Sequence, residues 1–113
     1  MPMCLSCDRF SGPWTRSTTL RPVFHVLTLT YLQPLDVIDE TRPDHLDWLA
    51  REVESGRILL AGRVEAQTGA VLVTGDLSAE EADALAAADP YSKAGVVSYA
   101  RTSFNGAFRA PGL

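Results

Sequence analysis

The chain has 113 residues, which is room for one domain, and 46% of them are hydrophobic, so a core can form. The net charge is −4 and no long basic run occurs, which argues against a nucleic-acid or anionic-membrane partner because both need a concentrated positive patch. The longest apolar runs have about five residues, too few to cross a bilayer, which takes ~20. We therefore predict a cytoplasmic protein that binds neither nucleic acid nor membrane.

Residues 1–22 show neither a period of two nor one of 3.6, and they are rich in Ser, Thr, Pro and Arg. This composition predicts a disordered or loosely attached segment. Cys4 and Cys7 have the spacing of half a zinc site or of a redox pair, but a closed zinc site needs four ligands and the sequence supplies no second pair. We therefore interpret the pair as a coincidence of sequence.

A second hypothesis for residues 1–22 is that they lie upstream of the true translation start. The valine codon GTG can serve as a start in GC-rich bacterial genes, and the frequent Ala, Arg, Gly and Val residues indicate such a genome. Translation would then begin near Val23, where the strand-like sequence begins. Peptides from residues 9–21 in mass spectra of protein from the native host would contradict this hypothesis.

The first regular element is a strand, because residues 23–32 are dense in β-branched and aromatic side chains. Neither face of this strand is strongly polar, and a strand that is apolar on both faces must be covered on both. We expect His25 to be a strand residue at the sheet edge or at a dimer face, and not a ligand. One face carries Phe24, Val26, Thr28 and Thr30, and the other carries His25, Leu27, Leu29 and Tyr31.

We interpret residues 33–43 as a turn and a segment that leads into a helix. Thr41 or Asp44 can cap the N-terminus of this helix, and Pro43 suits its first turn. Gly56 is a natural stop, so the helix ends at about residue 55. The apolar stripe of the helix, with His45 beside it, consists of Leu46, Leu49, Ala50 and Val53.

The rest of the chain alternates short strands with a second helix. Ser78 and Glu81 form a capping-box pattern that begins this helix. Asp89 and Pro90 end it, because the residue before a proline resists the α conformation. The predicted strands are residues 57–62, 69–75 and 96–104, and residues 105–113 form a C-terminal tail.

The order β-α-β-β-α-β predicts a ferredoxin-like α+β domain over residues 23–104, with a four-stranded antiparallel sheet and two helices on one face. The other face of the sheet would then be bare. The apolar side chains of the strands indicate that this face is buried too. A two-fold homodimer that packs sheet on sheet is the simplest cover.

His45 and Asp89 are the first candidates for chemistry. His45 lies beside the apolar stripe of the first helix, and Asp89 continues the stripe of the second, so both would face the sheet. A buried Asp and a buried His are each costly alone, but a paired carboxylate fixes the histidine tautomer and strengthens it as a general acid or base. The alternative is that Asp89 merely caps a helix or turn before Pro90 and that His45 is a half-buried helix residue.

Three stretches of the chain resemble motifs of the YciI-like (YCII-related) family, in the order that the family has them. Residues 42–46, RPDHL, resemble its R-x-x-H-L stretch, and residues 57–62, RILLAG, resemble a strand that ends in an A-G pair. Residues 89–95, DPYSKAG, are similar to its D-P-Y-x-x-A-G signature. The resemblance implies a dimeric α+β barrel, related in fold to muconolactone isomerases, with a His/Asp centre in a cleft between helices and sheet.

The resemblance also assigns roles to residues. His45 and Asp89 match the His/Asp centre. In at least one relative this pair transfers a proton in the dehydrochlorination of a chlorinated hydroxyquinol. Arg42 matches an arginine one helical turn earlier that would hold a substrate carboxylate or enolate, or it is a first-turn surface arginine. Tyr91 presents its phenol to the cleft or packs its ring under the helix end. Arg63 stands where the family often has proline, and it either places positive charge at the pocket mouth or is a solvated loop residue.

These observations favour a small enzyme of the lyase or isomerase type, similar to a dehydrochlorinase or a muconolactone isomerase. His45, oriented by Asp89, would move a proton on a small anionic or hydroxylated cyclic substrate bound by Arg42 and Tyr91. We predict no cofactor and no metal, because the sequence has no glycine-rich phosphate loop and no convincing metal-ligand set. The alternative is a non-catalytic dimeric module that binds a ligand or docks a partner. A histidine bonded to its aspartate and open to a cavity would favour the enzyme.

Overall fold

The computed structural model describes residues 22–113, and its elements follow the predicted order with one short helix added. The predictions for Cys4, Cys7 and the segment around them lie outside the described residues. Residues Val23–Phe104 form a compact unit. The elements are β1 (Val23–Tyr31), α1 (Leu35–Ser55), β2 (Ile58–Arg63), β3 (Gly69–Thr74), α2 (Ala79–Ala88), α3 (Pro90–Ala94) and β4 (Val97–Asn105).

The four strands form one sheet in the order β2-β3-β1-β4. Strand β3 pairs antiparallel with β1, where Ala70 lies opposite Leu29, and with β2, where Leu72 lies opposite Ala61. This is the ferredoxin-like order, so the predicted fold class is confirmed. The core on the helix-covered face includes Leu27, Leu29, Ile38, Trp48, Ile58, Leu72 and Leu85.

Helix α1 is longer than the sequence pattern predicts. It begins at Leu35 and holds Pro43 in its interior, so the predicted start at Thr41 or Asp44 is wrong. Asp36 lies in the first turn, where a negative charge complements the helix dipole. Proline is common in the first turn of a helix, but it is also tolerated inside one at the loss of a hydrogen bond, and its position alone therefore misplaced the start.

The buried face of α1 also differs from the predicted stripe. Leu46 and Val53 are 46% and 45% exposed, whereas Ile38, His45 and Trp48 are buried. The buried face is thus shifted by about one position along the helix from the stripe that the periodicity predicts. Because of this shift, His45 lies on the buried face of α1 and not beside that face.

Several element ends lie where the sequence predicts them. Gly56 ends α1 in the left-handed conformation with φ 83°, and the capping box of Ser78 and Glu81 begins α2. Asp89 ends α2 as predicted, but Pro90 then starts the unpredicted helix α3. The Asp89 side chain caps this helix, so one residue both ends α2 and begins α3.

Strand β1 lies inside the sheet, so the expected position of His25 at an edge or dimer face is wrong. Alternation along the strand places His25 on the same face as Leu27, and the side chain is fully buried. Its Nε2 bonds the backbone oxygen of Leu77 at 2.7 Å, and its Nδ1 bonds Ser103 Oγ at 2.8 Å. His25 is therefore a fully bonded interior residue.

The opposite face of the sheet carries apolar side chains, and none of the described helices covers it. Leu60 is 61% exposed, and the rings of Phe24 and Phe104 stack with centroids 6.1 Å apart. The strand register places Leu60 opposite Val73, which lies opposite Val26. The predicted dimer would cover this face and stays a prediction. No helix in the described range 22–113 has the length and apolar character that a membrane span requires.

Candidate active site

A cleft of about 190 Å³ opens between α1, α3 and the helix-covered face of the sheet. Three of the four residues that the sequence singles out line it directly, and the fourth, Asp89, lies beneath. Both walls carry aromatic and aliphatic side chains, and the polar groups are an imidazole, two guanidinium groups and two phenols. The lining consists of Tyr31, Arg42, His45, Leu46, Leu49, Ala61, Gly62, Arg63, Ala70, Leu72 and Tyr91.

Asp89 is fully buried, and donors surround its carboxylate. Its Oδ1 lies 2.7 Å from His45 Nδ1 and accepts a hydrogen bond from the Tyr91 backbone N–H at 2.9 Å. Its Oδ2 accepts the hydroxyl of Tyr99 at 2.5 Å. A buried carboxyl group is tolerated only when its oxygens are bonded in this way, and these three donors satisfy both oxygens of Asp89.

His45 is 4% exposed, and its ring lies nearly parallel to that of Tyr91, with centroids 4.0 Å apart. Because an ionised carboxylate only accepts hydrogen bonds, the contact with Asp89 assigns a proton to Nδ1 of the imidazole. In the neutral ring Nε2 then carries a lone pair. No side chain among residues 22–113 hydrogen bonds to Nε2, and His45 lines the cleft.

Two tyrosines keep their protons beside this pair. Burial raises the pKa of Tyr99, and its hydrogen bond to Asp89 raises it further. Burial also raises the pKa of Tyr91, while the positive charges of Arg63 and Arg42 oppose the shift. Both are phenols at neutral pH, so Tyr99 donates to Asp89 and does not compete with it for protons.

Arg63 reaches the cleft from the end of β2. Its Nε donates to the hydroxyl of Tyr31 at 2.9 Å, and one terminal nitrogen donates to Asp39 Oδ1 at 2.7 Å. The hydrogen bond with Asp39 is the largest cause of a raised pKa for Arg63, so the group stays charged. The interpretation of Arg63 as a solvated loop residue is therefore wrong, because it ends a strand and its side chain is only 19% exposed.

Arg42 and Tyr91 also reach the cleft. Arg42 is a surface residue, as one of its two interpretations has it, but it does not lie in the first turn, because α1 begins at Leu35. Within the described part of the chain no hydrogen bond or ion pair holds its guanidinium, which leaves it available to a ligand. Tyr91 lines the cleft and packs its ring on His45, and its role in binding a substrate stays a prediction.

Sequence reasoning missed Tyr31 and Tyr99. Tyr31 ends β1 and Tyr99 lies within β4, and both side chains lie on the helix-covered face next to buried apolar neighbours. The sequence pattern at these two positions favours simple packing. Alternation along β1 puts Tyr31 on the face of Leu27 and Leu29, which was a usable signal. The described residues contain no group of three or more His, Cys, Asp or Glu side chains that could hold a metal ion.

Comparison with known proteins agrees with this architecture. The chain matches the YCII-related domain over residues 23–103. It belongs to the YCII-related domain family. A 24-residue sequence known as the 12 kDa protein of Mycolicibacterium smegmatis is 71% identical over its whole length, which corresponds to 21% of this chain.

A solved structure shares the fold of this YCII-related chain. It is the 5-chloro-2-hydroxyhydroquinone dehydrochlorinase (TftG) of Burkholderia phenoliruptrix AC1100, in complex with 2,5-dihydroxybenzoquinone. The superposition has a TM-score of 0.55 at 22% sequence identity, and it covers 72% of this chain and 91% of the other. At this identity the likeness establishes the α+β fold.

Proposed function

We propose that this protein is a small enzyme of the lyase or isomerase type in which His45 transfers a proton on a small anionic or hydroxylated ring compound. The observation that carries the proposal is the hydrogen bond of His45 Nδ1 to buried Asp89, which is 2.7 Å long. The other ring nitrogen has no hydrogen-bond partner among residues 22–113, and His45 lines a cleft. A candidate base needs this combination of an orienting partner and an open face.

In the proposed step, Nε2 of His45 takes a proton from a carbon or hydroxyl group of the substrate, whose electron pair stays on the ring. The imidazolium that forms is stabilised by the Asp89 carboxylate, which Tyr99 and the Tyr91 backbone N–H hold in place. Arg42 lies at the cleft and offers positive charge to the developing anion. Return of the proton to another substrate atom gives isomerisation, and loss of a leaving group with its electron pair gives elimination.

The solved dehydrochlorinase supports the choice of substrate class, because that protein holds a dihydroxylated ring compound. As part of the proposal, the substrate of this chain is also a ring compound. The cleft fits such a ligand in size, since a cavity of ~150 Å³ admits a benzene molecule and this cleft has about 190 Å³.

We also propose that the protein is a homodimer through the uncovered face of its sheet. Leu60 and Phe104 expose apolar surface there, Phe104 stacked on the buried ring of Phe24, and a second copy related by a two-fold axis would remove that surface from water. Sedimentation of the wild type and of Leu60→Glu tests this part, since a charge in the interface should give monomers. A monomeric wild type would contradict it.

The experiment that tests the enzymatic proposal is a turnover screen of hydroxylated and chlorinated ring acids, run in parallel with wild type and His45→Ala. We expect a substrate that the wild type converts and the variant does not, with the dimer intact in both. Full activity of His45→Ala on a confirmed substrate would contradict the assignment. Binding without turnover across the panel, equal in both proteins, would favour the ligand-binding module.

A further inference from the structure

The charged side chains that line the cleft carry a net positive charge. Asp89 is enclosed beneath His45, so the charged groups that line the cleft are the guanidinium groups of Arg42 and Arg63, and the carboxylate of Asp39 lies beside Arg63. Asp39 is bonded to Arg63 and its side chain is 46% exposed. A ligand therefore meets an excess of positive charge at this end of the cleft.

Arg63 is held in place from two sides before any ligand arrives. One of its N–H groups is fixed by Tyr31 on β1 and another by Asp39 on α1, and the guanidinium carbon lies 5.5 Å from the centroid of the Tyr31 ring. A guanidinium has five N–H donors; Tyr31 and Asp39 take two of them and the Tyr91 hydroxyl interacts with a third, which leaves two for other partners. A preorganised arginine with free donors binds a carboxylate or a similar oxyanion at low entropic cost.

We propose that Arg63 is the specificity-determining residue of the cleft and that it binds the anionic oxygen group of a single-ring substrate. The inference rests on the proposed function, because it takes the cleft as the substrate site. Arg63 and His45 both border the cleft, so one ring can contact the two together. The substrate class is then a ring compound with a carboxylate or an ionised hydroxyl group.

Asp39 gives the proposal a test that a purely structural arginine would not pass. Its carboxylate competes with the ligand anion for Arg63. Asp39→Asn removes the competing charge and keeps the side-chain shape, so it should tighten binding of an anion and leave a neutral ligand unaffected. If Arg63 only ties α1 to the sheet, the same variant loosens the cleft and weakens both ligands alike.

The experiment compares benzoate with benzamide, its neutral analogue, by NMR titration of the full-length protein. We expect the wild type to bind benzoate about tenfold more tightly, as one charged hydrogen bond provides. Arg63→Gln should abolish this preference without changing the benzamide affinity, Arg63→Lys should retain part of it, and Asp39→Asn should increase it. Arg57→Gln and Asp83→Asn are matched controls, because they alter surface ion pairs outside the cleft and should leave the preference unchanged.

Equal affinity of the wild type for the two probes would overturn the inference. So would a loss of preference in Arg42→Gln that Arg63→Gln does not show, or a parallel change for both probes in Arg63→Gln and Asp39→Asn. His45→Gln separates this inference from the proposed function, because it should lose turnover and keep the benzoate preference. If turnover survives in His45→Gln while Arg63→Gln still loses the preference, the proposed function fails and the anion site stands.

Discussion

The two histidines of the domain are both buried, yet their surroundings differ in one respect. His25 has a partner on each nitrogen, Ser103 on one and the Leu77 carbonyl on the other. Among the residues that the structure describes, His45 has a hydrogen-bond partner on Nδ1 alone, and its ring borders a cleft. Burial therefore does not separate the candidate site residue from the fully bonded one, and the nitrogen that lacks a partner among the described residues does.

The largest expected difference between the two histidines is in catalytic activity. Substitution of His45 by Ala should lower kcat/KM by about 10²–10⁴-fold, the range that a positioned acid or base contributes. Substitution of His25 by Ala should leave kcat/KM within a few-fold when both are measured per folded molecule. Steady-state kinetics on a substrate from the screen checks both values. Equal losses in the two variants would remove the distinction.

Asp89→Asn tests the partner that distinguishes His45. The amide no longer stabilises an imidazolium, so we expect kcat/KM to fall about tenfold to a hundredfold, part of the loss seen on removing the base. Asp83→Asn, which changes a surface carboxylate paired with Arg101, is the matched control and should be neutral. If Asp89→Asn retains wild-type kinetics, the carboxylate has no role in the step.

His25→Ala should show its effect in stability. It leaves the Leu77 carbonyl without its partner, at about 1–3 kcal/mol, whereas the exposed Ser103 hydroxyl keeps the hydrogen bond that Arg101 donates. The free energy of unfolding from urea titration measures the loss. A stability equal to that of the wild type would mean that water replaces the imidazole and that His25 is dispensable.

These two histidines also show how far sequence reasoning reached. The positions of His45 and Asp89 on or beside the apolar stripes of their helices, together with the resemblance of the motifs around them to the family, predicted the pairing that the structure shows. The depth of His45 was left open between a buried and a half-buried position, and the interior position of His25 was missed. Each depends on which neighbour covers a face, and periodicity alone does not show that. Arg63 was left between two interpretations for the same reason: only the packed fold brings Tyr31 and Asp39 to it.

The smallest expected effect concerns Tyr99, which holds Asp89 from behind. Its pKa is raised in the folded state, so above pH ~10 the unfolded chain releases this proton while the folded one keeps it. Stability from this group is present below that pH and is lost as the pH rises. Tyr99→Phe should therefore make the decline of unfolding free energy between about pH 9 and 11 shallower than in the wild type. An unchanged slope would mean that Tyr99 ionises freely in the fold.

The most direct test of the account is the position of the proton on each imidazole. Long-range proton–nitrogen correlation spectra, recorded at pH ~8.5 where a free imidazole is neutral, assign it for both rings. We predict opposite tautomers, with the proton on Nδ1 of His45, facing Asp89, and on Nε2 of His25, facing Leu77. A proton on Nε2 of His45 would leave no lone pair at the cleft and would contradict its assignment as the base.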